Sequence, residues 1–295
     1  MSVLRVLRHL MSHPVNRDRK AAALWRFAKW QVGSRLVPGK VAVNWIEGAT
    51  FLAGASERGA TGNVYCGLHE FHDMAYVLHV LRKDDWFADV GANVGSYTIL
   101  ACKVAGARGY CFEPVPSSYR RLMMNLAIND LLEQVTPLNQ GVGDRSQTLR
   151  FTSEQDCTNH VLADGESSEN AIEVPIATLD ESMATTPSMM KIDVEGYETL
   201  ALQGAARVLA DRKLNSILIE LNGSGERYGF DESQIVSNLN SFGFKAYAYD
   251  AFQRKLTPTS AAEKRGGNTL FIRDVELASR LVREAPRFNV LGKQV

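Results

Sequence analysis

From Trp86 onward the chain alternates at short intervals between apolar runs and segments with helical spacing. Seven runs read as strands: Trp86–Val90, Gly109–Phe112, Val135–Leu138, Ser188–Ile192, Ser216–Leu221, Lys245–Tyr249 and Thr269–Ile272. Between the first three lie helical stripes, Tyr97, Leu100, Ala101 and Val104, then Tyr119, Leu122, Met123 and Leu126, and further helices are expected at 197–210 and 232–242. Strands that are apolar throughout have both faces covered, which for strands separated by helices means a parallel sheet in an α/β layer fold. A chain of 295 residues, 45% hydrophobic and 22% charged, buries such a core without staples and is no disordered or collagen-like chain. Four cysteines without a CxxC pair exclude a zinc ribbon and a disulfide framework, and read as reduced core residues.

The first 60 residues differ. Residues 1–40 carry nine Lys and Arg against one acid, Asp18, while the whole chain is neutral, so a local charge of +8 is balanced further on. Residues 18–36 read as an amphipathic helix with Leu24, Phe27, Trp30 and Val32 among basic residues, and 40–53 as a short hairpin turning at Gly48. Residues 54–64 are loop-like, and 68–82 return to helical spacing. No apolar run approaches the ~18–20 residues that span a bilayer, and the start has no signal-peptide pattern, so a cytoplasmic protein is expected. The expected organisation is a basic arm at 1–60, a catalytic domain at 61–275 with an insertion at 144–187, and a tail at 276–295. The insertion's edges, Thr148–Phe151 and Ala171–Ile176, have the pattern of a hairpin.

The chemistry-bearing residues gather at strand ends. The first strand runs into D-x-G-x-x-x-G, with Asp89, Gly91 and Gly95. Gly91 allows a tight turn and close backbone approach, whereas Asn93 stands where a dinucleotide fingerprint has its middle glycine. The motif therefore suits a cofactor without a pyrophosphate. Glu113, 24 residues after Asp89, ends the second strand and is placed to accept ribose hydroxyls. The fourth strand ends in Lys191, Asp193 and Glu195, whose parity puts them on one side of an extended chain. The ordinary structural alternative is a solvated Lys191 and a Glu195 that caps the next helix. Glu220 and Asn222 end the fifth strand; with Asp193 they could hold a divalent ion or position a hydroxyl group, and the metal-free reading ranks first. His160, beside Asp156 and Asn159 in the insertion, is a candidate general base.

FADVGANVGSYT, CFEP, MKIDVEGYE and ILIELN, in that order and spacing, resemble the FkbM family of S-adenosylmethionine-dependent methyltransferases, over about residues 61–273. The resemblance implies the class I methyltransferase fold, a Rossmann-like seven-stranded sheet with the last strand antiparallel and helices on both faces. It implies O-methylation of sugars, glycans or polyketide-like metabolites. Carried over by position, Asp89, Gly91, Asn93 and Gly95 would line the methionine end of the cofactor, Glu113 would bind its ribose, and the adenine would lie near Gly141–Asp144, with Asp144 as one candidate. Asp193 or His160 is then the expected base, and Asp156, Asn159, Glu195, Glu220 and Asn222 are expected near the acceptor.

A nicotinamide-dependent oxidoreductase shares the glycine turn and the strand-two acid but not the GxGxxG loop, and a non-catalytic scaffold would have lost Gly91 or Glu113. A nucleic-acid partner is not expected, since the catalytic region has no basic stripe. The basic arm suits peripheral contact with an anionic membrane, or packing on the body or a second subunit.

Overall fold

The computed structural model describes residues 3–54, 58–153, 159–163, 166–260 and 267–295. In chain order the first elements are α1 (Val3–Ser12), α2 (Lys20–Leu36), the hairpin β1 (Val41–Asn44) and β2 (Thr50–Ala53), α3 (Arg58–Cys66) and α4 (Phe71–Val80). The alternating part follows: β3 (Trp86–Val90), α5 (Ser96–Ile99, widening into a π-turn over Leu100–Val104), β4 (Arg108–Phe112), α6 (Pro116–Ile128) and β5 (Val135–Leu138). Then come β6 (Gly141–Val142), β7 (Gln147–Phe151), β8 (Ile172–Ala177), α7 (Leu179–Ser182), β9 (Met189–Ile192), α8 (Glu198–Gln203), α9 (Ala206–Ala210) and β10 (Ser216–Glu220). The chain ends with α10 (Glu232–Ser241), β11 (Lys245–Asp250), β12 (Lys255–Pro258), β13 (Asn268–Ile272), α11 (Val275–Glu284) and the short pair β14 (Asn289–Val290) and β15 (Lys293–Gln294).

The main sheet has eight strands in the order β12-β11-β13-β10-β9-β3-β4-β5. β3 pairs in parallel with β4 and β9, and β13 is antiparallel to β10. The eighth strand, beyond the seven read from the sequence, is β12, an antiparallel edge strand whose alternation is too short and too polar to stand out. β3, β9 and β13 are buried along almost their whole length, and the two faces of the sheet carry two separate apolar cores. One of these cores reaches into the N-terminal elements through Leu10, Ala23, Trp30 and Phe51.

The insertion's edges do pair. β7 and β8 form an antiparallel hairpin, and β6 adds in parallel to β8, giving a separate three-stranded sheet. In α2, Trp30 and Ala23 are buried, but Leu24 and Val32 are exposed and do not share the face of Trp30. At 3.6 residues per turn, Val32 lies on the opposite side of the helix from Trp30. Among the described residues no helix is long and apolar enough to cross a membrane.

The small sheet is seated by a backbone contact. A Cβ built on Gly204 would lie 2.0 Å from the carbonyl oxygen of Gly143, so the turn after β6 rests directly on the end of α8. Gly204→Ala is expected to force these segments apart and cost roughly 1–3 kcal/mol, as overpacking does. A lower urea midpoint with an unchanged m-value checks this.

Candidate functional site

The ends of β3, β4, β6, β9 and β10 open into one cavity of about 970 Å³. Its floor begins at Asp89. That carboxylate is buried and accepts hydrogen bonds from the Thr98 backbone N–H (2.9 Å) and hydroxyl (2.6 Å), which ties the glycine turn to the start of α5. Burial pushes its pKa up to about 6, against the pull of the Thr98 donors and the Lys191 charge.

Gly91 has φ +85°, and a Cβ there would lie 1.8 Å from the carbonyl oxygen of Asp193. The turn after β3 therefore touches the turn after β9. Asn93, also left-handed at φ +50°, donates its backbone N–H to Glu113 Oε2 (2.8 Å), while Glu113 Oε1 accepts from the Val115 N–H (2.9 Å). Burial raises the Glu113 carboxyl to about 7, although these two donors pull it down. Asp89, Gly91, Asn93 and Glu113 all line the cavity.

Gly95 does not line it. Its left-handed φ of +88° opens α5, and a side chain there would strike Leu122. Asp144 lies outside the lining too, because the chain turns away at Gly143 and Asp144 sits 3.5 Å from exposed Arg145. Gln140, Gly141 and Val142 supply this wall instead.

At the opposite end stands a charged cluster. Lys191 is buried rather than solvated, with Nζ 3.0 Å from Asp193 Oδ2 and 5.4 Å from the centre of the Tyr97 ring. Burial alone would lower its pKa, but the carboxylates of Asp193, Glu70 and Glu220 outweigh that and hold the ammonium above its ordinary value. Tyr97 donates its hydroxyl to Glu70 Oε2 (2.7 Å), and Asn268 donates to Glu70 Oε1 (2.8 Å). Carboxylate oxygens of Asp193, Glu195 and Glu220 lie within 4.8 Å of one another. Burial and the Asp193 charge keep Glu220 protonated well above the usual carboxylate range, and burial, then Asp193 and Glu198, push Glu195 up to about 7.

The helix after this turn has no side-chain cap from Glu195; Glu198, its first residue, turns back onto the turn itself. Glu198 Oε1 accepts from the Val194 and Gly196 N–H groups at 3.0 and 3.3 Å, which leaves Glu195, at φ +54°, facing the cavity. Asn222 does not reach the lining but donates to Glu220 Oε2 (2.9 Å). Asn159 lines the cavity. His160 does not: it is buried, with Nε2 3.0 Å from Glu166 Oε1, so the structure does not bring it to the acid cluster. Asp156 falls outside the described residues.

Several lining residues were not singled out from the sequence. Glu70 lies in the YCGLHEF segment, and Tyr97 had been counted as part of a core stripe. Arg5, His9, Phe27 and Gln31 bring the N-terminal helices into the wall.

The family model for the methyltransferase FkbM domain matches residues 89–246, more than half of the chain. The chain belongs to the FkbM methyltransferase family. Its matched part holds both the glycine turn and the Lys191–Asp193–Glu195 turn. The hexuronic acid methyltransferase AglP of Haloferax volcanii is 26% identical over 170 residues, 56% of this chain and 65% of the relative. The methyltransferase sdnD of Sordaria araneosa is 35% identical over 83 residues, 28% of this chain and 32% of the relative. The chain thus spans less than two thirds of the length of either curated relative. A crystal structure of methyltransferase FkbM from Methylobacillus flagellatus matches with a TM-score of 0.46 at 15% identity, covering 85% of this chain and 60% of that one. Among FkbM methyltransferases a nicotinamide-dependent redox role is no longer the natural alternative.

The cluster has a consequence for stability. An acid whose folded pKa lies above its unfolded value adds stability at low pH that is lost as pH rises through the folded value. Asp89, Glu113, Glu195 and Glu220 all shift in that direction. Buried His13 and His79, lowered from 6.5 to about 4, act oppositely below the ordinary histidine value, so the test window lies above it. The ligand-free protein is expected to lose thermal stability as pH rises from ~6.5 to ~9, with Glu220→Gln flattening the upper part of the fall. Melting temperatures across that range check it; a flat or rising wild-type profile contradicts it.

Proposed function

We propose that the protein transfers a methyl group from S-adenosylmethionine to a hydroxyl oxygen of a sugar, glycan or polyketide-like metabolite. The observation that carries this reading is one cavity with two chemically different ends, the glycine turn with Glu113 at one and the Lys191–Asp193–Glu220 cluster at the other. About 970 Å³ is at the upper end of the ~300–1,000 Å³ usual for ligand sites, enough for a nucleoside-bearing cofactor and an acceptor side by side.

The residues present fit the cofactor. Glu113 offers carboxylate oxygens to ribose hydroxyls, and its two backbone donors fix its orientation. Asn93 Oδ1 is buried and has no hydrogen-bond partner among the described residues, so it is free to accept from an amine. The Gly91 turn keeps side-chain bulk out of the cradle. When bound, the cofactor supplies a methyl group already activated by its sulfonium.

What is left to the chain is alignment and a proton. The acceptor hydroxyl would sit between the cofactor end and Asp193, where alignment in a near-attack geometry supplies much of the rate. Asp193 would take the hydroxyl proton as that oxygen accepts the methyl group from the sulfonium. Lys191, 3.0 Å away, holds the Asp193 carboxylate in place, and protonated Glu220 donates to it or to the acceptor. No metal is required for these steps. A sugar acid is a sensible first acceptor to try, given the hexuronic acid methyltransferase among the relatives.

Two variants test the assignment. Glu113→Ala is expected to weaken cofactor binding, by roughly 1.5–3 kcal/mol for each charged hydrogen bond lost, in a protein that still folds. Asp193→Asn is expected to lower turnover of labelled methyl groups roughly 10²–10⁴-fold while cofactor binding persists. Calorimetry with adenosylmethionine and a labelled-methyl screen of hexuronic acids, neutral glycans and polyketides give the readouts. Loss of activity on chelation, restored by a divalent ion, would assign Asp193, Glu195 and Glu220 to a metal instead.

A further inference from the structure

Among the described residues, the most exposed large apolar side chains lie on α2, apart from a smaller group at Met124, Ile128 and Leu132 and from Phe252. Leu24, Trp25, Val32 and Leu36 are 40%, 69%, 60% and 76% exposed, and Val37 follows at 49%. At 3.6 residues per turn the four helical positions fall within roughly 120° of arc, with exposed Ala21 and Ala28 between them. Exposed Lys20 and Lys29 flank this arc, and exposed Arg35 lies within it. The helix has no acidic residue, and residues 1–40 together carry +8. The opposite face is committed to the protein through buried Ala23, Trp30 and Ser34, and Phe27 and Gln31, on the flank between that face and the arc, wall the cavity.

We infer that the outward face of α2 docks on an anionic lipid bilayer. The apolar arc enters the boundary between headgroups and acyl chains, and the three basic side chains meet the lipid phosphates and carboxylates, as amphipathic interfacial helices do. The charge decides for a bilayer over a second copy of the chain: two such faces would bring like charges together.

The full chain is floated with vesicles of phosphatidylcholine alone and of phosphatidylcholine mixed with phosphatidylserine. The expected result is co-flotation with the mixed vesicles only, lost at ~1 M salt. Trp25→Ala with Leu36→Ala is expected to reduce the bound fraction roughly tenfold, and Lys20→Gln with Lys29→Gln and Arg35→Gln to do the same. These side chains face water, so unchanged circular dichroism and melting temperature confirm that the variants fold. Absence of co-flotation at low salt overturns the proposal. So does a concentration-dependent dimer that the Trp25→Ala, Leu36→Ala variant dissolves, because the face would then belong to a second copy.

Discussion

The site depends on one contact between two backbones. The Asp193 carbonyl oxygen occupies the space a side chain at position 91 would need. Adjacent parallel strands normally diverge into separate turns, but here the turns after β3 and β9 close on each other. The Asp193 N–H also donates to the Val90 carbonyl (2.9 Å), which carries the ladder past the formal strand end. Glu113 then binds the Asn93 N–H and ties in the end of β4. Three strand ends thus become one continuous floor, and the cofactor-type turn and the acid cluster are held next to each other by main-chain atoms.

The price of that closeness is electrostatic. Asp193, Glu195 and Glu220 share a small, partly dry space with one buried cation. Lys191 cannot balance three negative charges, so the surplus is met by protons: Glu220 and Glu195 hold theirs above the ordinary carboxylate range. Paired buried charges of this type contribute little net stability, while removal of one partner strands the other. A cluster that stores protons beside an acceptor-sized space suits a reaction that must move one.

Much of this was legible in the sequence, for a physical reason. Strands such as Met189–Ile192 are buried on both faces, so they must be apolar throughout, and the charges that follow them mark the sheet's carboxyl edge. That edge brings Asp89, Glu113, Asp193 and Glu220 to the cavity. Misplaced residues depend on contacts distant in sequence. A solvated Lys191 stayed open as an alternative because nothing local reveals that the Tyr97 ring lies against it. Glu195 was open to two readings, near the acceptor or as a helix cap, and it faces the cavity because Glu198 takes the N–H groups of the turn on either side of it. Asp144 follows Gly143, whose seating on α8 is a contact between two glycines that carry no pattern, and His160 is held by Thr152 and Glu166 within the insertion. The wall made by Phe27 and Gln31 comes from a segment whose periodicity reports an apolar side but not what it faces.

Lys191 has one more consequence. A primary amine that is protonated, ion-paired and only 2% exposed is a poor nucleophile toward acylating reagents. It gains reactivity only when its pairing with Asp193 breaks and a reagent reaches it through the cavity it lines. Surface lysines such as Lys20 and Lys29 react without any such opening. The chain therefore contains its own chemical clock for the site: the slow labelling of one lysine, read by mass against the fast labelling of the others, records how often the buried ion pair opens to the cavity.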